Sequence, residues 1–169
     1  MLSEISSPEV TAIETILANT FNYNTLNDQP PEVCIEAVKH NGNSLYYIKD
    51  QTPDLCLLSI ILHPYSIQYV NEQTVLLNIL AVMQHGLCLA HVKDQNPDIC
   101  LAAVNQNGMA LKFVKQQTPE ICLAAVTTSP YSIQHVKELT MELCKIAVDK
   151  DITVIPLLKQ PFRRVFEKK

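Results

Sequence analysis

Glycine, basic charge and long apolar runs are all scarce in this chain. Its 169 residues include only 3 glycines, which argues against glycine-rich phosphate loops and folds built on tight β-turns. The net charge is −4 and the pI about 5.7, whereas dedicated nucleic-acid binders are usually basic. No apolar run approaches the ~18 residues of a membrane span, and the acidic N-terminus lacks the features of a signal peptide. We therefore expect a soluble, cytoplasmic protein of one domain.

Catalytic motifs are missing as well. The sequence contains no nucleophile elbow, zinc-protease motif, phosphate-binding loop or dinucleotide fingerprint. Its 5 histidines are scattered over different positions of the repeat described below. Acid–base chemistry and metal binding both need groups within hydrogen-bond reach of one another. We therefore expect a protein that is not an enzyme, binds no metal and uses no cofactor.

What the chain does contain is a repeat of 22 residues. Segments 96–117 and 118–139 align without a gap, and the same frame continues in both directions without insertion. We number the six units repeats 1 to 6, and they comprise residues 30–51, 52–73, 74–95, 96–117, 118–139 and 140–161. Residues 1–29 are interpreted as a degenerate capping repeat, since terminal units of stacked arrays are atypical. Residues 162–169 are predicted to be a basic C-terminal tail.

Each repeat is predicted to form two short helices. A polar N-cap opens the first helix, and proline at N1 and an acidic residue often follow it. These N-caps are Thr52, Thr74, Asn96, Thr118 and Thr140. A second cap column opens an amphipathic second helix, and it comprises Asn41, His63, His85, Asn107, Ser129 and Asp151. Because helices this short are marginal alone, they must pack on neighbouring repeats, which predicts an all-α solenoid.

The repeat also resembles a known family. Its pattern, PE-[VI]-C-x-x-AV-x-x-NG…L-x-[YF]-[VI]-K, is similar to the tandem repeat called domain of unknown function 4116, over about residues 30–160. That family occurs chiefly in giant viruses of amoebae, with members in protists and some bacteria. The resemblance implies a helical repeat and a viral source, and it implies no enzymatic activity.

Five of the 6 cysteines share one column of the repeat. They are Cys34, Cys56, Cys100, Cys122 and Cys144. Equivalent positions of stacked helices lie ~9–10 Å apart, whereas a disulfide needs Cα atoms within ~7 Å and zinc needs convergent thiolates. We therefore predict small buried cysteines that form neither a disulfide nor a metal site. Cys88 lies outside this column.

Two further columns run along the second helices. One is aromatic or imidazole, and contains Tyr47, Tyr69, His91, Phe113 and His135. The other is basic, and contains Lys49, Lys93, Lys115, Lys137 and Lys159. Helical repeats that read RNA present such columns, but acids follow several of the lysines and oppose phosphate binding. Half-buried packing between repeats is favoured for the aromatic column, and helix capping for the lysines.

Charge is unevenly distributed between the ends of the chain. Residues 1–38 hold acids and no lysine or arginine, whereas residues 149–169 are basic overall. Two readings remain open: solvated caps, or head-to-tail self-association through these ends. The favoured function is a scaffold or adaptor for a protein partner of unknown identity, without membrane contact. The alternative is a nucleic-acid-associated helical repeat protein.

Repeat 3 departs most from the pattern. Leu76 stands where other repeats carry an acid, and Asn78 stands where they carry cysteine. Leu76 is predicted to be exposed beside Leu80 and Met83, which makes this repeat the favoured protein-contact site, with the aromatic column as a further candidate. Asn78 is predicted to hydrogen-bond to a neighbouring repeat or to reach water.

Overall fold

The computed structural model describes residues 30–167, and every regular element within that range is a helix. The capping repeat predicted for residues 1–29 lies outside the described residues. Backbone contacts divide the chain into two compact units, Met1–Gln73 and Thr74–Lys169. The first unit therefore contains repeats 1 and 2, and the second contains repeats 3 to 6. None of the described helices is long and apolar enough to cross a membrane.

An α-helix and a 3₁₀ helix alternate along the chain, and repeat n contains helices αn and ηn, where η denotes 3₁₀. The helices are α1 (Pro31–His40), η1 (Gly42–Tyr47), α2 (Pro53–Leu62), η2 (Pro64–Tyr69), α3 (Val75–Gln84), η3 (Gly86–His91), α4 (Pro97–Gln106), η4 (Gly108–Phe113), α5 (Pro119–Thr128), η5 (Pro130–His135), α6 (Met141–Lys150), η6 (Ile152–Leu157) and α7 (Phe162–Glu167). Consecutive repeats pack on one another within each unit. The predicted all-α solenoid is confirmed.

The predicted N-caps form as expected. In α2, the Thr52 hydroxyl accepts a hydrogen bond from the Leu55 N–H at 3.3 Å. Equivalent bonds begin α3 to α6, with Asn96 replacing threonine in α4. Proline occupies N1 of α2, α4 and α5, where the missing N–H has no intrahelical partner to lose. The first helices are therefore determined largely by local sequence.

The second helices differ in type from the prediction, since they are 3₁₀ helices of six residues. Their apolar pairs are spaced by three, which is the 3₁₀ period of three residues per turn. Each ends with an i→i+3 bond, such as the Val114 N–H to the Leu111 carbonyl at 3.1 Å. Both residues of that pair are buried. A short segment of this kind aims its buried side chains in one direction without needing a full α-helix.

Glycine follows the second cap position in repeats 1, 3 and 4 because the next repeat approaches closely there. A Cβ built on Gly108 would lie 2.3 Å from the Ala125 carbonyl oxygen, and one on Gly86 would lie 2.4 Å from the Ala103 oxygen. Neither glycine has a positive φ, since no glycine in the described residues does. The position is N1 of the 3₁₀ helix, as the sequence predicts, and glycine is needed for space rather than for conformation.

Candidate protein-contact surfaces

Exposed apolar side chains lie close together on α3 in the second unit. Leu76 is 69% exposed and Met83 is 61% exposed, whereas Leu80 between them is half-buried. The spacing of four and then three residues places all three on one side of the helix. We call this set the α3 face. The predicted exposure of Leu76 is confirmed, and its role in binding stays a prediction.

The α3 face departs from the other repeats at Leu76, because each of them carries an acid at that position. The column of Leu76 holds Glu32, Asp54, Asp98, Glu120 and Glu142 in the other repeats. Those acids lie in the first turn of their helices, near the positive end of the helix dipole. Leu76 has no charge to interact with the helix dipole, and it also exposes apolar surface to water. Folding alone gives no reason for this exchange.

Asn78, on the opposite side of α3, does not behave as predicted. Its side chain is only 2% exposed, and its Oδ1 accepts no hydrogen bond from any residue in the described range. The predicted hydrogen bond or water contact is therefore wrong for this atom.

The aromatic and imidazole column is half-buried at all five positions, Tyr47, Tyr69, His91, Phe113 and His135. In the first unit, Tyr46 packs edge-on against Tyr69, with ring centroids 5.6 Å apart. In the second unit, the Lys112 ammonium lies 4.5 Å above the Phe113 ring. Burial and the positive charge of Lys112 lower the pKa of His135. These contacts support the packing interpretation of the column.

The lysine column forms bonds between repeats. Lys115 Nζ donates to the carbonyl oxygen of Lys93 at 2.6 Å, and Lys137 Nζ donates to that of Lys115 at 2.7 Å. Each ammonium thus reaches back 22 residues to the preceding repeat. This role resembles the predicted helix capping, but the carbonyl belongs to the preceding repeat. It also occupies a donor that phosphate binding would need.

Sequence reasoning missed the glutamine at the last position of repeats 1, 3 and 4, which bonds to the next repeat. The Gln117 Nε2 donates to the carbonyl oxygens of Leu111 in its own repeat and His135 in the next, at 3.4 and 2.9 Å. Its Oε1 accepts from the Lys137 N–H at 3.0 Å. Gln51 and Gln95 make the equivalent bonds. We call this arrangement the glutamine clamp.

The cysteine column packs against this clamp. All six cysteines are buried, and for the five of the column this confirms the prediction of small core residues. The Sγ atoms of Cys56, Cys100 and Cys122 lie 3.6–3.7 Å from the glutamine Oε1 and donate to it. Cys88, in contrast, occupies the buried small-residue position that Ser44 and Ala110 occupy in η1 and η4. Burial raises the pKa of the Cys88 thiol to about 11. No group of three or more potential ligands in the described range could hold a metal ion.

Comparison with known proteins agrees with this repeat architecture. Residues 96–140 match the model of a family described as domain of unknown function (DUF4116). The match supports DUF4116-type repeats in this segment of the chain. The matched segment covers repeats 4 and 5, in which caps, glutamine clamp and lysine bonds are all present. No curated protein and no solved structure matches the chain.

Proposed function

We propose that this DUF4116-type protein is a non-enzymatic scaffold that binds a protein partner through the α3 face. The observation that carries the proposal is the exposure of Leu76 and Met83 on one side of a well-capped helix. Exposed apolar side chains at helical spacing are the usual anchors of helix-mediated contacts. Contiguous apolar surface on a soluble protein commonly marks an interaction site.

The charged and polar columns supply no competing function. The ammonium groups of Lys115 and Lys137 donate to backbone carbonyls, which favours a structural role over phosphate binding. The acids near the helix N-termini are explained by the helix dipole. The α3 face is the departure from the repeat that lacks such a structural reason.

Substitution within the α3 face tests the proposal. Tagged wild-type protein, Leu76→Glu and Asn105→Glu would be used to capture partners from cells that naturally contain the protein, with identification by mass spectrometry. Asn105 is the matched control because it is exposed at the position of Met83, one repeat later. We expect a protein captured by the wild type and by Asn105→Glu to be lost with Leu76→Glu. Equal capture by all three proteins would contradict the α3 face as the contact.

A gel-shift titration with mixed RNA and DNA distinguishes the protein scaffold from the alternative, a nucleic-acid-associated repeat protein. The scaffold proposal predicts no shift at physiological salt. A shift that weakens steeply with salt would favour the nucleic-acid-associated alternative.

A further inference from the structure

The junction between repeats 5 and 6 lacks the glutamine clamp. Leu139 occupies the position of Gln117, and a leucine side chain has no amide to bond to either repeat. The lysine bond changes as well: Lys159 Nζ donates to the Val136 carbonyl oxygen at 3.3 Å rather than to that of Lys137. The corresponding bonds at the two preceding junctions measure 2.6 and 2.7 Å. Two of the bonds that draw neighbouring repeats together are thus missing or weakened here.

A cleft lies at this junction. It has a volume of about 400 Å³ and runs between the N-terminal turns of α5 and α6. The corresponding cleft between α4 and α5 measures about 140 Å³, and Gln95 lines it as Gln117 lines the larger one. The larger cleft falls within the ~300–1,000 Å³ range of ligand sites, and the smaller one does not.

The lining of the larger cleft is apolar below and acidic around the rim. Cys122 and Leu143 are buried in its floor, and Leu123 is 42% exposed. Three carboxylates, those of Glu120, Glu138 and Glu142, line the same cleft. No basic side chain among residues 30–167 forms an ion pair with any of the three.

Lys137 is the one basic residue that lines the larger cleft, and its ammonium donates to the Lys115 carbonyl. With three carboxylates and one ammonium, the lining of the larger cleft keeps a net negative charge. In the smaller cleft, Lys115 and Gln116 occupy the positions of Lys137 and Glu138. The two clefts thus differ in volume and in charge, although they occupy the same position in the repeat.

We propose that the cleft between repeats 5 and 6 binds a basic linear segment of a protein partner. An arginine or lysine side chain fits this chemistry, because its methylene stem can pack on Leu123 while its charged end meets the carboxylates. The volume accommodates a side chain together with flanking backbone, which a lone metal ion would not fill. The inference rests on the interaction role proposed above, but it assigns a second surface and the chemistry of the segment bound there.

Fluorescence anisotropy with a labelled peptide, GSLRALRSG, tests the assignment on the full chain. We expect saturable binding that weakens about fivefold or more with Glu138→Gln, because one of three carboxylates is lost. The same peptide with glutamate in place of arginine should not bind.

Two variants outside the cleft serve as controls. Gln116→Glu places the carboxylate at the equivalent position of the smaller cleft, and it should leave peptide affinity unchanged. Leu76→Glu disrupts only the α3 face and should also leave it unchanged, so failure of the scaffold proposal is distinguishable from failure of this one.

Three results would overturn the assignment. The first is equal peptide affinity for Glu138→Gln and the wild type. The second is displacement of the peptide by spermine at equal charge concentration, which would indicate a site for any cation. The third is a concentration-dependent dimer in light scattering that the peptide dissociates, which would identify a second copy of this chain as the occupant.

Discussion

Two neighbouring junctions, between repeats 4 and 5 and between repeats 5 and 6, involve equivalent positions of the repeat. They differ in the residues and hydrogen bonds that join the two repeats. At the first, Gly108 lets the backbone approach the Ala125 carbonyl, and Gln117 clamps the opposite edge. At the second, Pro130 and Leu139 occupy those two positions, and a bond of 2.7 Å between the Tyr131 and Thr153 hydroxyls joins the repeats instead. Two positions per repeat therefore determine which contacts hold neighbouring repeats together.

We expect the largest loss in the free energy of unfolding when a side chain is added at Gly108. Gly108→Ala would place a Cβ 2.3 Å from the Ala125 oxygen, so repeat 5 must shift, at a cost of about 2–3 kcal/mol in the free energy of unfolding. Pro130→Ala adds no atom at the looser junction and should cost less than about 1 kcal/mol. Urea unfolding followed by circular dichroism measures both. Similar losses for the two variants would show that the junctions do not differ in closeness.

Removal of the glutamine clamp should have the next largest effect. Gln117→Leu copies the residue found at Leu139 and deletes the bonds to Leu111, His135 and Lys137. Because the site is only partly buried, we expect a loss of about 2 kcal/mol. The exposed neighbour Gln116 provides a matched control, since Gln116→Leu should change stability by less than about 0.5 kcal/mol. An unaltered urea midpoint for Gln117→Leu would show that the clamp contributes nothing.

The comparison extends to α3 and α4, which differ at the cysteine column. Asn78→Cys removes a buried amide oxygen without a donor and restores the residue found at Cys100. We expect a stabilisation of about 1–2 kcal/mol. The reverse exchange, Cys100→Asn, should destabilise by a similar amount. If thermal unfolding shows Asn78→Cys to be less stable than the wild type, the amide has a role in folding.

The smallest effect on stability is expected on the α3 face. Leu76→Glu replaces a leucine that is 69% exposed and adds a carboxylate near the helix N-terminus, so the free energy of unfolding should change by less than about 0.5 kcal/mol. Leu77→Glu, one residue along and buried, is the contrasting control and should destabilise strongly. A large loss in Leu76→Glu would place that leucine in the core and exclude an exposed contact surface.

Several structural features could be predicted because they follow from local chemistry repeated at a fixed period. The N-cap of α5 needs only the Thr118 hydroxyl and the N–H three residues later. The burial of Cys122 follows from its place in an apolar column, and the exposure of Leu76 follows from a column that is otherwise acidic. Each inference uses residues within one repeat, together with the recurrence of the same position in the others.

By itself, then, the sequence determined the period, the helix starts, the cysteine core and the exposed leucine of repeat 3. Only the tertiary structure decided what depends on distances between repeats: the 3₁₀ form of the second helices, the partners of Gln117 and Lys137, and the cleft beside Leu123. A glutamine at the end of a repeat resembles any solvated loop residue until the carbonyls of two repeats lie on either side of its amide. The physical reason is that a hydrogen bond to the next repeat requires both repeats to be in place.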